Sequence, residues 1–299
     1  MRNIASRPYQ SASDLILLIE FARRAAKARW PRSTYKNVGD MVWAMYNGPS
    51  DNRRLWLNGA ALVAYASFEA PFNLEFDIEP GLARYDSVAD EILEWAGTRA
   101  HEQAGRNTIP KAYAMLGYEM LSLTTALGSD RQRISVLERH GFTRTEGFDV
   151  LYRRSLRDPI GLPPLDPLVR LRHATDADLE ARVDVHRDSW SVWGPSDATV
   201  DNYRRLRNSP VYDPELDVVV EDADGRFLAY CIGWLDVSNG IGHFEPVGCR
   251  PAYTGRGYAR AVTLEGMRRM RARGSHTAMV FNGGRQPARA SAISVVRFR

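Results

Sequence analysis

The stretch Phe244–Ala259, FEPVGCRPAYTGRGYA, combines residue types that suit the binding of an anion. A strand-like run from Phe244 to Cys249 enters a turn holding Gly255 and Gly257, and a helix-compatible sequence follows at once. That order sets successive backbone N–H groups at a helix N-terminus, where the helix dipole favours negative charge. Glycines there let the backbone come close to a pyrophosphate. No Lys-Ser or Lys-Thr pair follows, which argues against a nucleoside-triphosphatase loop. The preceding strands look hairpin-linked, which argues against a dinucleotide-binding βαβ unit. A Gly-x-Gly turn before a helix is also what a plain structural turn looks like. Period-2 alternation puts Glu245, Val247 and Cys249 on one face of their strand. Pro246 between them cannot donate to a ladder, so a bulge or splay is predicted there. His243 shares the face nearer the strand start and reads as structural or exposed. Cys249 reads as a small packed residue, because nothing near it in sequence would activate a thiol.

The spacing of Val247, Cys249, Pro251, Gly257 and Ala259 resembles the acetyl-CoA motif of the GNAT N-acetyltransferase superfamily, V-x-V-x-P-x-x-[QR]-x-x-G-x-[GA]. Thr254 stands where Gln or Arg is usual, and Arg256 keeps a guanidinium nearby. The resemblance covers most of 169–282, and the tandem layout is similar to the mycothiol-synthase-like type. It implies a splayed, mostly antiparallel central sheet flanked by helices. It also implies acetyl-CoA as co-substrate, with no metal. The Val247–Cys249 backbone would hold the pantetheine, and Thr254, Gly255, Arg256, Gly257, Tyr258 and Ala259 the pyrophosphate. Glu245 would then be the general base, since an attacking amine must lose a proton; the other reading is a surface Glu at a strand end. The implied partner is a primary amine on a small molecule or peptide. The alternative function is a CoA-binding or structural pseudoenzyme.

At 299 residues the length suits two domains. The segment Ser155–Pro167 holds four prolines and reads as an extended linker. The expected domains are a degenerate GNAT-like domain over 1–154, the linker over 155–167, and an acetyl-CoA-binding GNAT-like α+β domain over 168–299. The halves repeat one another. Ser11-Ala-Ser-Asp14 and Thr175-Asp-Ala-Asp178 are both hydroxyl caps three residues ahead of an acid. Leu62-Val-Ala-Tyr65 and Phe227-Leu-Ala-Tyr230 are both entered through hairpin turn pairs, Asn58-Gly59 and Asp224-Gly225. In the second half the pattern predicts strands at 169–173, 216–221, 227–236, 241–249 and 276–282, and helices at 176–190, 198–207 and 258–273. The first half predicts a strand at 118–126 and a helix at 130–140. Its counterpart of the glycine turn, Glu79–Asp86, has one glycine and two acids and would repel a pyrophosphate. Trp30, Trp43, Tyr46 and Trp56 read as core.

Apolar residues at 44% and charged residues at 25% exclude disorder and collagen-like structure for the bulk of the chain. No run of about 18 apolar residues would span a membrane. The N-terminus lacks the apolar core of a signal peptide. Cys231 and Cys249 alone make neither a disulfide framework nor a cysteine metal cage, which predicts a reducing, cytoplasmic setting. The net charge is +4, and from Arg250 onward eleven Arg face one acid, Glu265. Met267 and Met270 interleave with Arg268, Arg269, Arg271 and Arg273, which reads as an amphipathic helix with a solvated basic face, so nucleic acid is not the expected partner.

Beyond Asn282 the chain departs from the family pattern N-x-x-A-x-x-[LF]-Y-x-x-x-G-F, whose Tyr the resemblance makes a general acid. No Tyr follows Tyr258. A one-base frame shift from Gln286 permits N-P-P-A-R-R-L-Y-R-S-C-G-F, which fits the pattern. The expectation is therefore a frameshifted, incomplete second domain, a poorly ordered tail over 283–299, and an unpaired edge at the 276–282 strand.

Overall fold

The computed structural model describes residues 4–10, 12–30, 35–46, 52–69, 73–104, 123–161, 165–193, 196, 198–284 and 292–298. In chain order these form β1 (Ile4–Pro8), α1 (Ala12–Arg29), α2 (Val38–Tyr46), β2 (Arg53–Asn58), β3 (Ala61–Glu69), β4 (Asn73–Ile78), α3 (Tyr85–Ala104), β5 (Leu123–Leu127), α4 (Arg131–Arg139) and β6 (Phe142–Ser155). They continue with β7 (Arg170–His173), α5 (Leu179–Trp190), α6 (Val200–Arg207), β8 (Asp217–Glu221), β9 (Phe227–Asp236), β10 (Ile241–Cys249), α7 (Tyr258–Ala272), β11 (Thr277–Gly284) and β12 (Ala292–Phe298). The fold is mixed α+β, with largely antiparallel sheet flanked by helices. Two compact units form: 1–36, 48–151 and 281–299 make the first, 37–47 and 152–280 the second.

In the first unit the strand order is β1-β2-β3-β4-β5-β12-β6. β1 to β4 pair antiparallel in sequence, while β4 meets β5 in parallel at Asn73 and Leu123. Trp56, Phe68, Phe76, Val88, Ile92 and Leu137 fill its core. Trp56 is thus core as its sequence reading has it, but Trp30 is 43% exposed, and the side chain of Tyr46 lies outside the described residues. Ser11 and the start of the predicted 118–126 strand also lie outside them; the described part of that strand is β5.

The tail corrects an expectation. Ala292–Phe298 is a strand, paired antiparallel with β5 on one side and β6 on the other. Its sequence, AISVVRF, is rich in β-branched residues, which suit a pleated surface. Just ahead of β11, Leu156 N donates to His276 O at 2.9 Å.

In the second unit the order is β11-β10-β9-β8-β7. β7 to β10 are antiparallel, and β10 pairs in parallel with β11 over Ile241–Phe244. The capping box at Thr175 is present, with Asp178 Oδ2 accepting from Thr175 N at 2.7 Å; it starts a short 3-10 turn that leads into α5. Cys231 on β9 faces α7, and its neighbour Tyr230 faces α5, so the helices cover opposite faces. Within the proline-rich segment Leu156 and Ile160 are buried in this unit's core, so at these residues it packs rather than merely links. Pro163 and Pro164 lie outside the described residues. Met270 and Leu264 of α7 are buried, and Met267 packs partly buried against the same core. On its outer face Arg269 pairs with Glu265 at 2.8 Å and Arg273 with Glu215 at 2.7 Å. Among the described residues no helix is long and apolar enough to cross a membrane.

Candidate active site

β10 carries the predicted irregularity. Ile241–Phe244 pair regularly with β9, the ladder resumes at Val247, and Glu245 and Pro246 fall in the break. Past this point the alternation reads half-buried at Glu245, Val247 and Cys249 and buried at Pro246, Gly248 and Arg250. Val247 and Cys249 lie against the cluster that holds Tyr258 and Ala261 of α7. Burial raises the Cys249 thiol pKa, which fits a packed side chain and not an activated nucleophile. His243 is 3% exposed, the structural alternative for that residue.

The strand runs out through Arg250, whose Nε donates to Phe227 O at 2.6 Å and whose Nη1 meets Asp188 at 2.8 Å. Arg250 thereby ties the exit of β10 to β9 and to α5. A 3-10 turn at Pro251–Tyr253 then leads to Thr254, Gly255, Arg256 and Gly257, all exposed. Gly255 and Gly257 both have φ +84°, and Gly257 is the N-cap of α7. Ala261 N is the amide that donates back to Gly257 O, at 2.9 Å. The amides of Tyr258, Ala259 and Arg260 ahead of it therefore end the helix without an intrahelical acceptor. The Arg256 guanidinium lies 5.1 Å from the Tyr253 ring centroid and that of Arg226 lies 5.9 Å from it, which adds positive charge at the rim. A Cβ at either glycine would meet open space within 4 Å. The constraint is thus backbone strain and not crowding. Gly257→Ala should cost about 1–2 kcal/mol, the penalty of an L-residue in the left-handed region, read as a lower melting temperature.

The sheet face opposite α7 holds a buried polar network that the sequence reading did not find. Arg182 Nε donates to Asp217 Oδ1 at 2.8 Å, and Asp217 Oδ2 accepts from Tyr203 OH at 2.5 Å and Tyr212 OH at 3.0 Å. The Arg182 guanidinium lies 3.7 Å from the Tyr230 ring centroid. Tyr230 OH accepts from Trp190 Nε1 at 2.8 Å and sits 2.6 Å from His186 Nδ1. Trp43 of α2 packs at 5.4 Å from the His186 ring. Arg182, His186, Trp43, Asn202 and Tyr203 line a cavity of about 20 Å³, about what one water needs.

Burial, aided by Arg182 and Arg187, pushes the His186 pKa from 6.5 down to about 3. Between those values the unfolded chain binds a proton that the folded chain does not, so stability rises with pH. The melting temperature should accordingly fall as pH drops from about 6.5 toward about 3. His186→Gln should flatten that part of a melting-temperature profile.

The counterpart in the first unit differs. Its turn, Glu79–Arg84 before α3, has one left-handed glycine, Gly81 at φ +78°, and Glu79 pairs with Arg24 at 3.2 Å. Beside it lies a cavity of about 300 Å³ lined by residues that include Arg29, Gly81, Tyr85 and Asp130. Among the described residues no group of three or more His, Cys, Asp or Glu is placed to hold a metal.

The fold matches solved structures along almost the whole chain. A GCN5-related N-acetyltransferase from Sphaerobacter thermophilus superposes with a TM-score of 0.63 at 16% identity, covering 98% of this chain and 95% of that one. A tandem GNAT protein from the clavulanic acid biosynthesis pathway superposes at 0.61 and 12% identity, covering 99% and 98%. The chain has the tandem GNAT fold. In sequence, a mycothiol acetyltransferase from Kineococcus radiotolerans is 36% identical over 70 residues, 23% of this chain and only 22% of that protein's length. No family model matches. In this GNAT fold the residues singled out from sequence lie along one strand, turn and helix: Glu245 at the break, Val247 and Cys249 beyond it, and Thr254 to Ala259 around the N-terminus of α7. Sequence reasoning missed Trp234, the Arg182–Asp217 pair and the placement of α2 in the second unit. The one available signal was local: Asn37 ahead of Gly39 is a helix cap, with Oδ1 accepting from Gly39 N at 2.7 Å. A cap says where a helix starts and not what it packs against.

Proposed function

We propose that this protein is an N-acetyltransferase that moves an acetyl group from acetyl-CoA to a primary amine by direct attack. The observation that carries the proposal is the break in β10 at Glu245–Pro246 leading straight into the exposed, left-handed Gly255/Gly257 turn that caps α7. Beyond the break, backbone groups of Val247–Cys249 would run alongside the pantetheine arm. The open turn would admit a pyrophosphate, which the amides of Gly257 to Arg260 and the Arg256 guanidinium would neutralise. Glu245 would accept the proton that the amine loses as its nitrogen bonds to the acetyl carbon, directly or through one water. The carbon–sulfur bond then breaks and the electron pair leaves on sulfur. A thiol has a pKa of about 8.5, so its thiolate is a tolerable leaving group without a protonating Tyr. The first unit, with a single glycine in its turn, would serve as a supporting, degenerate domain.

The test is titration calorimetry with acetyl-CoA, followed by thiol release across a panel of small-molecule and peptide amines. Saturable binding with amine-dependent thiol release is expected; no binding overturns the proposal. The sequence holds no Tyr after Tyr258, which favours a second reading, a CoA-binding protein without turnover. Amine-dependent release above buffer hydrolysis excludes it.

A further inference from the structure

The break at Glu245 and Pro246 is met from the neighbouring strand. Phe244 is opposite Gly233 and Val247 opposite Cys231, so the register shifts between them. The indole of Trp234, on β9 and 1% exposed, reaches into the break: Nε1 donates to Glu245 O at 2.6 Å. That ring is boxed in on its other sides. Tyr212 meets it edge-on, with centroids 6.3 Å apart and planes at 69°. The backbone of α2 lies directly on it, because a Cβ built at Gly39 would stand 2.2 Å from Trp234 Cδ1 and 2.3 Å from Cγ. Only a residue without a side chain allows that approach. The Asn37 cap pins this end of α2 through Gly39 N at 2.7 Å and Asp40 N at 3.2 Å.

We propose that Trp234, clamped by Gly39, is the positioning residue for Glu245. The indole fixes the carbonyl in the break, and with it the direction in which the Glu245 side chain leaves the strand. α2 is encoded in the first half of the sequence but packs in the second unit. The first half thus supplies a part of the second unit's catalytic wall that no motif in the second half encodes. The inference rests on the reading of Glu245 as base.

Trp234→Phe keeps an aromatic ring and removes only the N–H, while Gly39→Ala keeps the N–H and moves the ring. Loss of one such hydrogen bond should lower kcat about tenfold, with KM for acetyl-CoA unchanged within about twofold, because the turn before α7 is untouched. The double variant should lose no more than Trp234→Phe alone, since both act through one contact. An independent readout needs no turnover. The indole N–H resonance, assigned as the one missing in Trp234→Phe, should shift and lose exchange protection in Gly39→Ala. The Glu245 carbonyl ¹³C resonance should move in both variants. An unchanged kcat in Trp234→Phe, or unchanged indole and Glu245 resonances, overturns the inference. If wild-type protein acetylates no amine, the proposed function fails, and the two resonances still decide whether the clamp exists.

Discussion

Glu245→Gln should lower kcat for amine acetylation by about 10²–10⁴-fold, the range a positioned general base contributes, and should leave acetyl-CoA affinity intact. Gln keeps the size of the side chain and cannot take the proton. The substitution spares the backbone carbonyl that Trp234 holds at 2.6 Å, so the break in β10 stays as it is. It also spares the Gly255/Gly257 turn, ten to twelve residues further on. Thiol-release kinetics give kcat, and calorimetry gives the acetyl-CoA dissociation constant. A loss of only a few-fold would make Glu245 the surface residue of the competing reading and move the base elsewhere.

Asp217→Ala should produce the largest loss of stability, about 3–5 kcal/mol, because it leaves a buried charge without its partner. Asp217 and Arg182 are 0% and 2% exposed. Removing the carboxylate strips Arg182 of its counter-charge and leaves Tyr203 OH and Tyr212 OH without the acceptor they share. The stack of Arg182 on Tyr230 would loosen as well, and with it the Tyr230–His186 contact below α5. Denaturant unfolding monitored by far-UV dichroism reads the effect. Arg182→Ala should cost a similar amount, and the double variant less than the two losses added, because no lone charge then remains. Equal additivity would show that the two side chains do not depend on one another.

Much of the second half was legible because its signals are local. The strands at 227–236 and 241–249 have the predicted bounds, since Asp224-Gly225 marks one turn and Gly225 takes φ +80° there. The helix predicted over 258–273 ends at Ala272, just ahead of Gly274 at φ +89°. Pro246 announced the break in the ladder by its missing donor. What remained hidden depends on partners distant in sequence. Nothing in the run VGDMVWAMY says that Gly39 will meet Trp234 or that Trp43 will meet His186. Arg182 and Asp217 are 35 residues apart, and each alone reads as an ordinary surface charge. The tail's departure from a motif predicts poorly ordered chain, whereas its β-branched residues suit a strand.

Neither unit is one unbroken stretch of sequence, and this sets the order in which the chain can be completed as it leaves the ribosome. The strand that fills the space between β5 and β6 is residues 292–298, made after the whole second unit. At about 5–20 residues per second, the first unit waits roughly 7–30 s with two unsatisfied strand edges facing each other across a gap. Unpaired edges recruit other chains. The second unit carries no such delay, because α2 is already synthesised when its sheet emerges. The second unit, begun later, would then be the first to reach its final form, and the nascent first unit is the species that a chaperone would need to shield.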